Sequence, residues 1–314
     1  MKWHGWTLGL VILSMTGLAH GQVGLDPNLN PYHVPLEPIN GKVRLIGSQT
    51  MANMTAVWAG NFRRLNPGIE VEIQVTGAVN AVPAVMNGEA DFGLLSRQIP
   101  QEEVQQFQEK FGYPPIVLTP ALEAQALFVH KDNPIKQLTL AQVDQIYSTT
   151  LRRGAPKTAA VWADLGVEGA IGQLPIIPMG RSATTGSQVF LQQAVMGGGE
   201  FRSDLRSYET NIALVQAVAQ NRGAVGFAGV VNAIPDLKAV PLAWREGEPA
   251  FTPETPGYPL VRPLQVVINR NPKQELSPAQ QEFVKFIFSQ QGQHSVMISG
   301  YMPVPSRPAQ IALD

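Results

Sequence analysis

The segment MGRSATTGSQVF, residues 179–190, places an arginine ahead of several small hydroxyl residues and a glycine, and an apolar helix pattern follows. Arg181 can present a planar array of charged N–H donors to an oxyanion, and Thr184, Thr185 and Ser187 can add hydroxyl donors. Gly186 leaves room for an anion to approach the first N–H groups of the helix, which lack intrahelical partners and lie at the positive end of the helix dipole. The segment therefore predicts an anion cradle at a helix N-terminus, and a Ser/Thr-rich loop with an ordinary helix cap is the alternative.

Two other segments place the same residue types at the ends of strands. In IGSQTM, Ser48 and Thr50 follow a short strand pattern at the point where a helix pattern begins. In GLLSRQIP, Ser96 and Arg97 follow a buried strand pattern. Because ligands of open α/β sheets bind outside the carboxyl ends of the strands, these three strand ends predict one shared anion site.

Alternating strands and helices position these segments. Hydrophobic spacing predicts strands over residues 43–46, 69–75, 90–95 and 126–130, and helices over residues 51–65, 77–86, 140–147 and 211–219. This order predicts parallel sheets with helices on their faces. Because similar units occur in both halves of the chain, two α/β lobes are expected.

The first residues have the features of a secretory signal peptide. Lys2 precedes an apolar stretch that ends in the small-x-small sequence Ala19-His20-Gly21. This pattern predicts a signal peptide over residues 1–21, cleavage after Gly21 and a periplasmic mature protein. Four prolines then indicate a Pro-rich leader over residues 22–41, either extended over the surface or disordered.

The composition limits the classes of ligand and reaction. Cleavage of the signal peptide removes one of the 23 Lys and Arg residues, which leaves 22 against 24 Asp and Glu and a net charge of −2, unlike the basic surface of a nucleic-acid-binding protein. The chain has no cysteine, which excludes disulfides and thiolate metal sites. The histidines form no H-x-x-x-H pattern and no G-x-S-x-G elbow occurs, so the sequence supports neither a metal site nor a hydrolytic triad.

Six segments, in chain order, resemble the periplasmic phosphate-binding proteins of ABC transporters: GSQTM, NGEADFGLLSRQIPQEE, LFVHKDNPIKQLTLAQVDQIYS, GRSATTGS, GAVGFAG and YPLVRPLQVVIN. The resemblance runs from about residue 43 to residue 305. It implies the two-lobe periplasmic binding protein fold, an α/β architecture in which each lobe is a mostly parallel sheet flanked by helices and two hinge crossovers join the lobes. We therefore expect lobe 1 over residues 42–121 and 262–314 and lobe 2 over residues 122–261.

The resemblance also implies a function and a set of binding residues. The expected function is capture of an inorganic oxyanion, with phosphate as the first candidate, and its delivery to an ABC permease in the inner membrane, without catalysis and without a cofactor. The expected ligand-binding residues are Ser48, Thr50, Ser96, Arg97, Arg181, Thr185, Gly186 and Ser187. Ala78 stands where the family usually has a serine.

Glu123 follows a proline turn and precedes a strand that crosses between the lobes in the resemblance. Its carboxylate could accept the proton of monohydrogen phosphate, which would separate phosphate from sulfate. A solvated loop carboxylate is the alternative.

Other functions remain open at this point. The chain could bind another oxyanion, or serve as a sensor component without a transport role. A secreted hydrolase of phosphate esters would use the same cradle, but a hydrolase needs a nucleophile with an adjacent base, which the shortage of histidine and cysteine disfavours. A monomer that binds no nucleic acid is expected in each case.

Overall fold

The computed structural model describes residues 24–255 and 257–313, so the predicted signal peptide lies outside the described residues. The strands are β1 (Gly41–Gly47), β2 (Ile69–Val75), β3 (Phe92–Leu95), β4 (Ile116–His130), β5 (Leu138–Thr139), β6 (Ile177–Arg181), β7 (Arg206–Tyr208), β8 (Ala224–Gly229), β9 (Leu237–Ala239), β10 (Leu242–Ala243), β11 (Val261–Ile268) and β12 (Met302–Pro303). The helices are α1 (Ala52–Leu65), α2 (Ala81–Met86), α3 (Gln101–Phe111), α4 (Leu140–Tyr147), α5 (Gly169–Gly172), α6 (Gly186–Ala194), α7 (Asn211–Ala219), α8 (Pro278–Ile287), α9 (Gln290–Ile298) and α10 (Ser306–Leu313). Short 3₁₀ helices cover Ala78–Asn80, Trp162–Leu165 and Val230–Asn232. None of the described helices is long and apolar enough to cross a membrane.

The first lobe is built on a sheet with the strand order β2-β1-β3-β11. β1 pairs in parallel with both neighbours, so that Leu45 lies opposite Ile73 on one side and Phe92 on the other. Parallel strands need crossover connections, which α1 and α2 provide. β11 joins β3 in antiparallel pairing. The parallel pairing of the first three strands confirms the strand–helix pattern predicted from the sequence.

The second lobe has the strand order β4-β8-β6-β7. β6 is parallel to β7 and to β8, while β4 is antiparallel to β8 and β9. In sequence, α6 follows β6 and α7 connects β7 to β8. This lobe is therefore also an α/β unit, and the ends of β6 and β7 supply its loops toward the first lobe.

Two strands, β4 and β11, pass between the lobes. Residues 116–124 of β4 pair with β11, and residues 125–129 pair with β8 of the second lobe. The chain enters the second lobe through β4 and returns to the first through β11, which confirms the two-lobe fold with two crossovers. The lobe boundaries predicted at residues 121/122 and 261/262 fall within these two strands and stay predictions.

Each lobe has its own buried core. In the first lobe, Trp58 and Phe62 of α1 lie in one cluster with Phe283 and Phe286 of α8. Trp162 belongs to a separate cluster in the second lobe. Fully burying a large apolar side chain contributes roughly 1.5–3 kcal/mol relative to leaving it exposed. The described buried residues form four clusters, two in each lobe, so each lobe has hydrophobic packing of its own.

The Pro-rich N-terminal segment contributes to the first-lobe core. Leu29 and Tyr32 are buried there, and the Tyr32 ring packs edge-on against Phe286 with centroids 5.6 Å apart. The Tyr32 hydroxyl donates to Glu282 Oε2 at 2.9 Å. At these two positions the segment is therefore part of the core rather than a leader that lies only on the surface.

Asp26 ties this segment to the C-terminal helix. Its carboxylate accepts hydrogen bonds from the backbone N–H groups of Ser306, at 2.8 Å, and Asn28, at 2.9 Å. These donors, the Ser306 N–H foremost, lower the pKa of Asp26 from 3.8 to about 2. Because the folded pKa is depressed, the stabilisation is present above pH 3.8 and is lost as the pH falls toward 2.

We therefore expect the hydrogen-exchange protection factor of the Ser306 amide to fall between pH 4 and pH 2. Asp26→Asn keeps an acceptor oxygen but cannot titrate, so its protection factor is expected to stay flat over that range. If the wild-type and Asp26→Asn profiles coincide, the ionised Asp26 does not hold the C-terminal helix.

Candidate functional site

Loops from both lobes meet at a cavity of about 210 Å³. The first lobe supplies the loop after β1 and the turn after β2, and the second lobe supplies the loop after β6 and one residue after β7. The lining residues are Ser48, Gln49, Thr50, Val75, Thr76, Gly77, Ala78, Arg181, Ser182, Thr184, Thr185, Gly186 and Glu209. The carboxyl ends of the parallel strands therefore do meet at one place, as expected for an open α/β sheet.

Two helix N-termini begin at the cavity. The 3₁₀ helix that leads into α2 starts at Ala78, and α6 starts at Gly186. The Thr185 hydroxyl caps α6, because it accepts the Gln188 N–H at 3.4 Å while donating to the Ser182 carbonyl at 2.9 Å. Thr185 therefore holds the loop instead of offering a free hydroxyl, and the donors that α6 can offer an anion are the backbone N–H groups of its first turn.

Arg181 ends β6 and is 3% exposed. Its guanidinium donates to the carbonyl oxygens of Tyr208, at 3.1 Å, and Glu209, at 2.6 Å. It also donates to the side-chain oxygens of Gln49, at 3.2 Å, and Asn211. Since Gln49 belongs to the first lobe, Arg181 bonds across the cleft.

The buried charge of Arg181 has only neutral hydrogen-bond acceptors. Within the described part of the chain, no carboxylate lies within 4.0 Å of its guanidinium. Burial lowers the pKa of Arg181, the nearby Glu209 carboxylate raises it and the positive charge of Arg262 lowers it. Because a buried charge is costly unless it is paired, an anion in the cavity would be stabilised as the counter-charge.

The loop after β1 is held by hydroxyl contacts. Ser48 Oγ donates to Ser96 Oγ at 2.8 Å and accepts the Thr50 N–H at 3.2 Å. The Tyr301 hydroxyl donates to the Thr50 carbonyl at 2.6 Å. Ser48 and Thr50 are lining residues of the cavity, whereas Ser96 is not, and its hydroxyl holds Ser48 in place by accepting the Ser48 hydrogen bond.

Three more predicted residues do not line the cavity. Arg97 donates to Glu103 Oε1 of α3 at 2.5 Å, because a carboxylate in the first turn of that helix offers a charge-assisted bond close by. Ser187 is buried behind the cavity. Glu123 is also buried, in β4, where it accepts the Arg262 Nε–H at 2.7 Å. Glu123 is therefore not the solvated loop carboxylate considered as the alternative, and it does not reach the cavity.

Several residues of the site were not predicted, and Arg262, Gln49 and Glu209 are the charged and amide side chains among them that bear on anion binding. Arg262 is 0% exposed, and its signal in the sequence is a single charge among the apolar residues of YPLVRPLQVVIN. Gln49 lies between two predicted residues and accepts a hydrogen bond from Arg181. Glu209 is the carboxylate among the lining residues, and nothing in its sequence context distinguishes it from a surface loop residue.

A larger cavity of about 480 Å³ lies between the N-terminal segment, α8 and α10. Its charged groups Glu282 and Lys285 are paired with each other at 2.7 Å, and no arginine is among its lining residues. Across residues 24–255 and 257–313, no group of three or more His, Cys, Asp or Glu is placed to hold a metal ion. The cavity between the lobes is the candidate site because a buried arginine and the starts of two helices lie in its lining.

Comparisons with known proteins agree with this fold. A family model for the PBP superfamily domain matches residues 35–291. The phosphate-binding protein PstS of Pseudomonas aeruginosa is 34% identical over 303 residues, which cover 95% of this chain and 93% of the relative. Protein SphX of Synechococcus elongatus is 27% identical over 270 residues, which cover 83% and 77%.

Among solved structures, an ABC-type phosphate transport receptor from Vibrio cholerae superposes with a TM-score of 0.68 at 20% sequence identity. The superposition covers 83% of this chain and 100% of the receptor. At this identity the structural match supports the fold. The family match and the relative at 34% identity confirm the resemblance noted in the sequence, and the chain therefore belongs to the PBP superfamily and, within it, to the family of the phosphate-binding protein PstS.

Proposed function

We propose that this protein captures an inorganic oxyanion, with phosphate as the ligand, between its two lobes. The observation that carries the proposal is the buried Arg181 guanidinium, which lines a small cavity and whose own hydrogen-bond acceptors are all neutral. Hydroxyl groups and two helix N-termini surround the same cavity, and each favours negative charge. The relative from Pseudomonas aeruginosa is named a phosphate-binding protein, which supports phosphate over other oxyanions.

Capture depends on closure of the lobes over the ligand. Arg181 of the second lobe already reaches Gln49 of the first, and Gly186 packs against Ser96 across the cleft. A dehydrated anion between the lobes would add bonds to both sides and favour the closed form. We further propose that the mature chain begins after Gly21, acts as a monomer in the periplasm and delivers its ligand to an ABC permease of the inner membrane.

Isothermal titration calorimetry of the purified mature chain with phosphate, sulfate, molybdate and methylphosphonate tests this function. We expect phosphate to saturate the protein with one site per chain and to bind most tightly of the four. Tighter binding of another anion would reassign the ligand, and no binding of any of them would contradict the proposed function.

Hydrolysis of phosphate esters is the second function considered, but among the described residues the site has no general base next to a serine nucleophile. Covalent catalysis by serine requires an adjacent general base, whereas Ser48 Oγ bonds to the hydroxyl of Ser96. No histidine is among the lining residues of the described cavity. We expect no turnover of a chromogenic phosphate ester under conditions where phosphate saturates the site.

Ala78 allows a test by gain of affinity. It lines the cavity at the start of the 3₁₀ helix, and a serine there would add one hydroxyl donor to a charged acceptor. Such a bond contributes about 1.5–3 kcal/mol, so Ala78→Ser is expected to tighten phosphate binding by about tenfold or more. Ala84→Ser, in the buried core of α2 and outside the cavity lining, is the matched control and is expected to leave affinity unchanged. If Ala78→Ser has unchanged phosphate affinity and a lowered melting temperature, Ala78 packs in the core and does not face the bound anion.

A further inference from the structure

An ion pair lies in the hinge, directly behind the cavity. Arg262 of β11 stands opposite Glu123 of β4 in the strand register, and both side chains are buried. Arg262 Nε donates to Glu123 Oε2 at 2.7 Å, and Nη2 lies 2.5 Å from the same oxygen. Because β4 and β11 are the two crossovers, this pair belongs to neither lobe alone.

The remaining donors of Arg262 reach both lobes. Nη1 donates to the Ser96 carbonyl at 2.5 Å, and Nη2 donates to Thr50 Oγ1 at 3.4 Å, both in the first lobe. Nη2 also donates to Ser187 Oγ at 3.0 Å in the second lobe. One guanidinium therefore bonds to the hinge and to each lobe at once.

Every one of these partners is next to the cavity lining. Thr50 lines the cavity itself, and the hydroxyl of Ser96 holds the lining residue Ser48. Ser187 follows Gly186 in the first turn of α6. Arg262 thus fixes the backbone and hydroxyl groups that would face an anion, without lining the cavity.

The contacts also set the direction of the Ser187 hydroxyl. Ser187 Oγ accepts from Arg262 Nη2 and from Gln125 Nε2, the latter at 3.4 Å. A hydroxyl has two acceptor lone pairs and one hydrogen, so two incoming donors leave it free only to donate. Arg262 likewise occupies a lone pair of Thr50 Oγ1.

Stability alone does not account for the pair. Replacing a buried ion pair with well-packed apolar residues is often neutral or stabilising, because desolvation offsets the attraction between the charges. The positions of the partners give a different reason for its presence: the lobes must stop at one relative position for both sets of anion donors to converge.

We propose that Arg262, held by Glu123, is a positioning residue for anion binding. It links Thr50 of the first lobe to Ser187 of the second when the lobes are closed, and so holds the loop after β1 and the first turn of α6 where their donors converge on the anion. This inference rests on the proposed function, since the anion bound in the cavity is taken to be phosphate.

A double-mutant cycle on the full mature chain tests it. The first variant, Arg262→Met/Glu123→Gln, removes both charges so that neither is left buried alone, and the second is Ser187→Ala. Calorimetric titration with phosphate is expected to show affinity lost by about tenfold or more in the first variant. Adding Ser187→Ala to that variant is expected to cause little further loss, because the two groups act through the same contact. Losses that multiply, or wild-type affinity in the first variant, would overturn the positioning role.

Two further variants keep the result interpretable. Arg202→Met removes an arginine that bonds the Ala159 carbonyl and Asp204 away from the cavity, so its phosphate affinity is expected to match wild type. Arg262→Lys keeps the charge beside Glu123 but not the forked donor array. If Arg262→Met/Glu123→Gln does not fold, Arg262→Lys replaces it as the first variant of the double-mutant cycle. In that case the Arg262→Lys and Ser187→Ala losses are expected to be non-additive, and multiplying losses would again overturn the proposal. Failure of the wild type to bind phosphate in the same titrations would instead contradict the proposed function.

Discussion

Substitution of Arg181 by methionine is expected to weaken phosphate binding by about 10- to 150-fold. A hydrogen bond to a charged group contributes about 1.5–3 kcal/mol, and each 1.4 kcal/mol is about tenfold in affinity. Methionine keeps much of the apolar volume of the side chain, so the loss reports the missing charge and donors. The dissociation constant measured by calorimetry checks the expectation, together with the melting temperature as a test of folding.

Arg152→Met is the matched control. Arg152 is exposed, donates to the Gly197 carbonyl at 2.6 Å and does not line the cavity. We expect its phosphate affinity to stay close to wild type in low and moderate salt. Equal losses in the two variants would mean that general positive charge, rather than the placement of Arg181, governs binding.

The second large effect is expected from Gly186→Ala. A Cβ atom at this position would lie 2.1 Å from Ser96 Oγ and 2.9 Å from the Ser96 carbonyl oxygen, which belong to the opposite lobe. Both distances are shorter than any ordinary contact of a Cβ atom, so the lobes cannot close fully. Loss of two charge-assisted bonds or more would weaken phosphate binding by about 100-fold or more.

Gly186→Ala should not unfold the protein, because the contact it blocks lies between the lobes and alanine favours the helix that begins there. Small-angle scattering is expected to show no compaction of this variant at phosphate concentrations that compact the wild type. Gly60→Ala, in the middle of α1, is the control and is expected to bind phosphate normally, because no atom outside its chain neighbours and the backbone of α1 lies within 4 Å of the added methyl group. Normal affinity in Gly186→Ala would contradict closure at the Gly186–Ser96 contact.

Local patterns predicted several elements of this fold well. The alternation of apolar and charged residues over 69–75 became β2 with the same bounds, and the apolar spacing over 140–147 and 211–219 became α4 and α7. Buried residues of these elements, such as Val71, Val143 and Leu214, belong to the predicted apolar pattern, so local sequence and tertiary packing agree there, whereas Val75 and Ile212 are exposed.

β4 was only partly predicted, because Pro120 suggested a turn. The structure continues the strand from Ile116 to His130 through this proline. A shift in the pairing of β11 between Leu264 and Val266 falls opposite this part of β4. Such an irregularity lets a strand accept a residue that has no N–H to donate, and a single sequence does not reveal the partner strand.

Several residues that line the candidate site were predicted from the sequence, whereas the lining residues Gln49 and Glu209 and the buried Arg262 were not. Arg181 ends a strand, Gly186 and Thr50 follow strands, and all three lie in segments with anion-binding chemistry, so their placement could be inferred locally. The partners of Arg97 and Glu123 could not be inferred locally. Arg97 pairs with a carboxylate of the nearby helix α3, and Glu123 pairs with an arginine 139 residues away in the sequence. Pairing at that distance is decided by the register of β4 with β11.

The position of the bound anion tests the central proposal most directly. Arsenate has the shape and charge of phosphate, and arsenic scatters X-rays anomalously, so crystals of the mature chain grown with arsenate can locate the ligand. We expect one anomalous peak between the lobes, within hydrogen-bonding distance of the Arg181 guanidinium and the first N–H groups of α6. An anomalous peak only outside this cavity, or none in the cleft at saturating arsenate, would contradict oxyanion capture by this site.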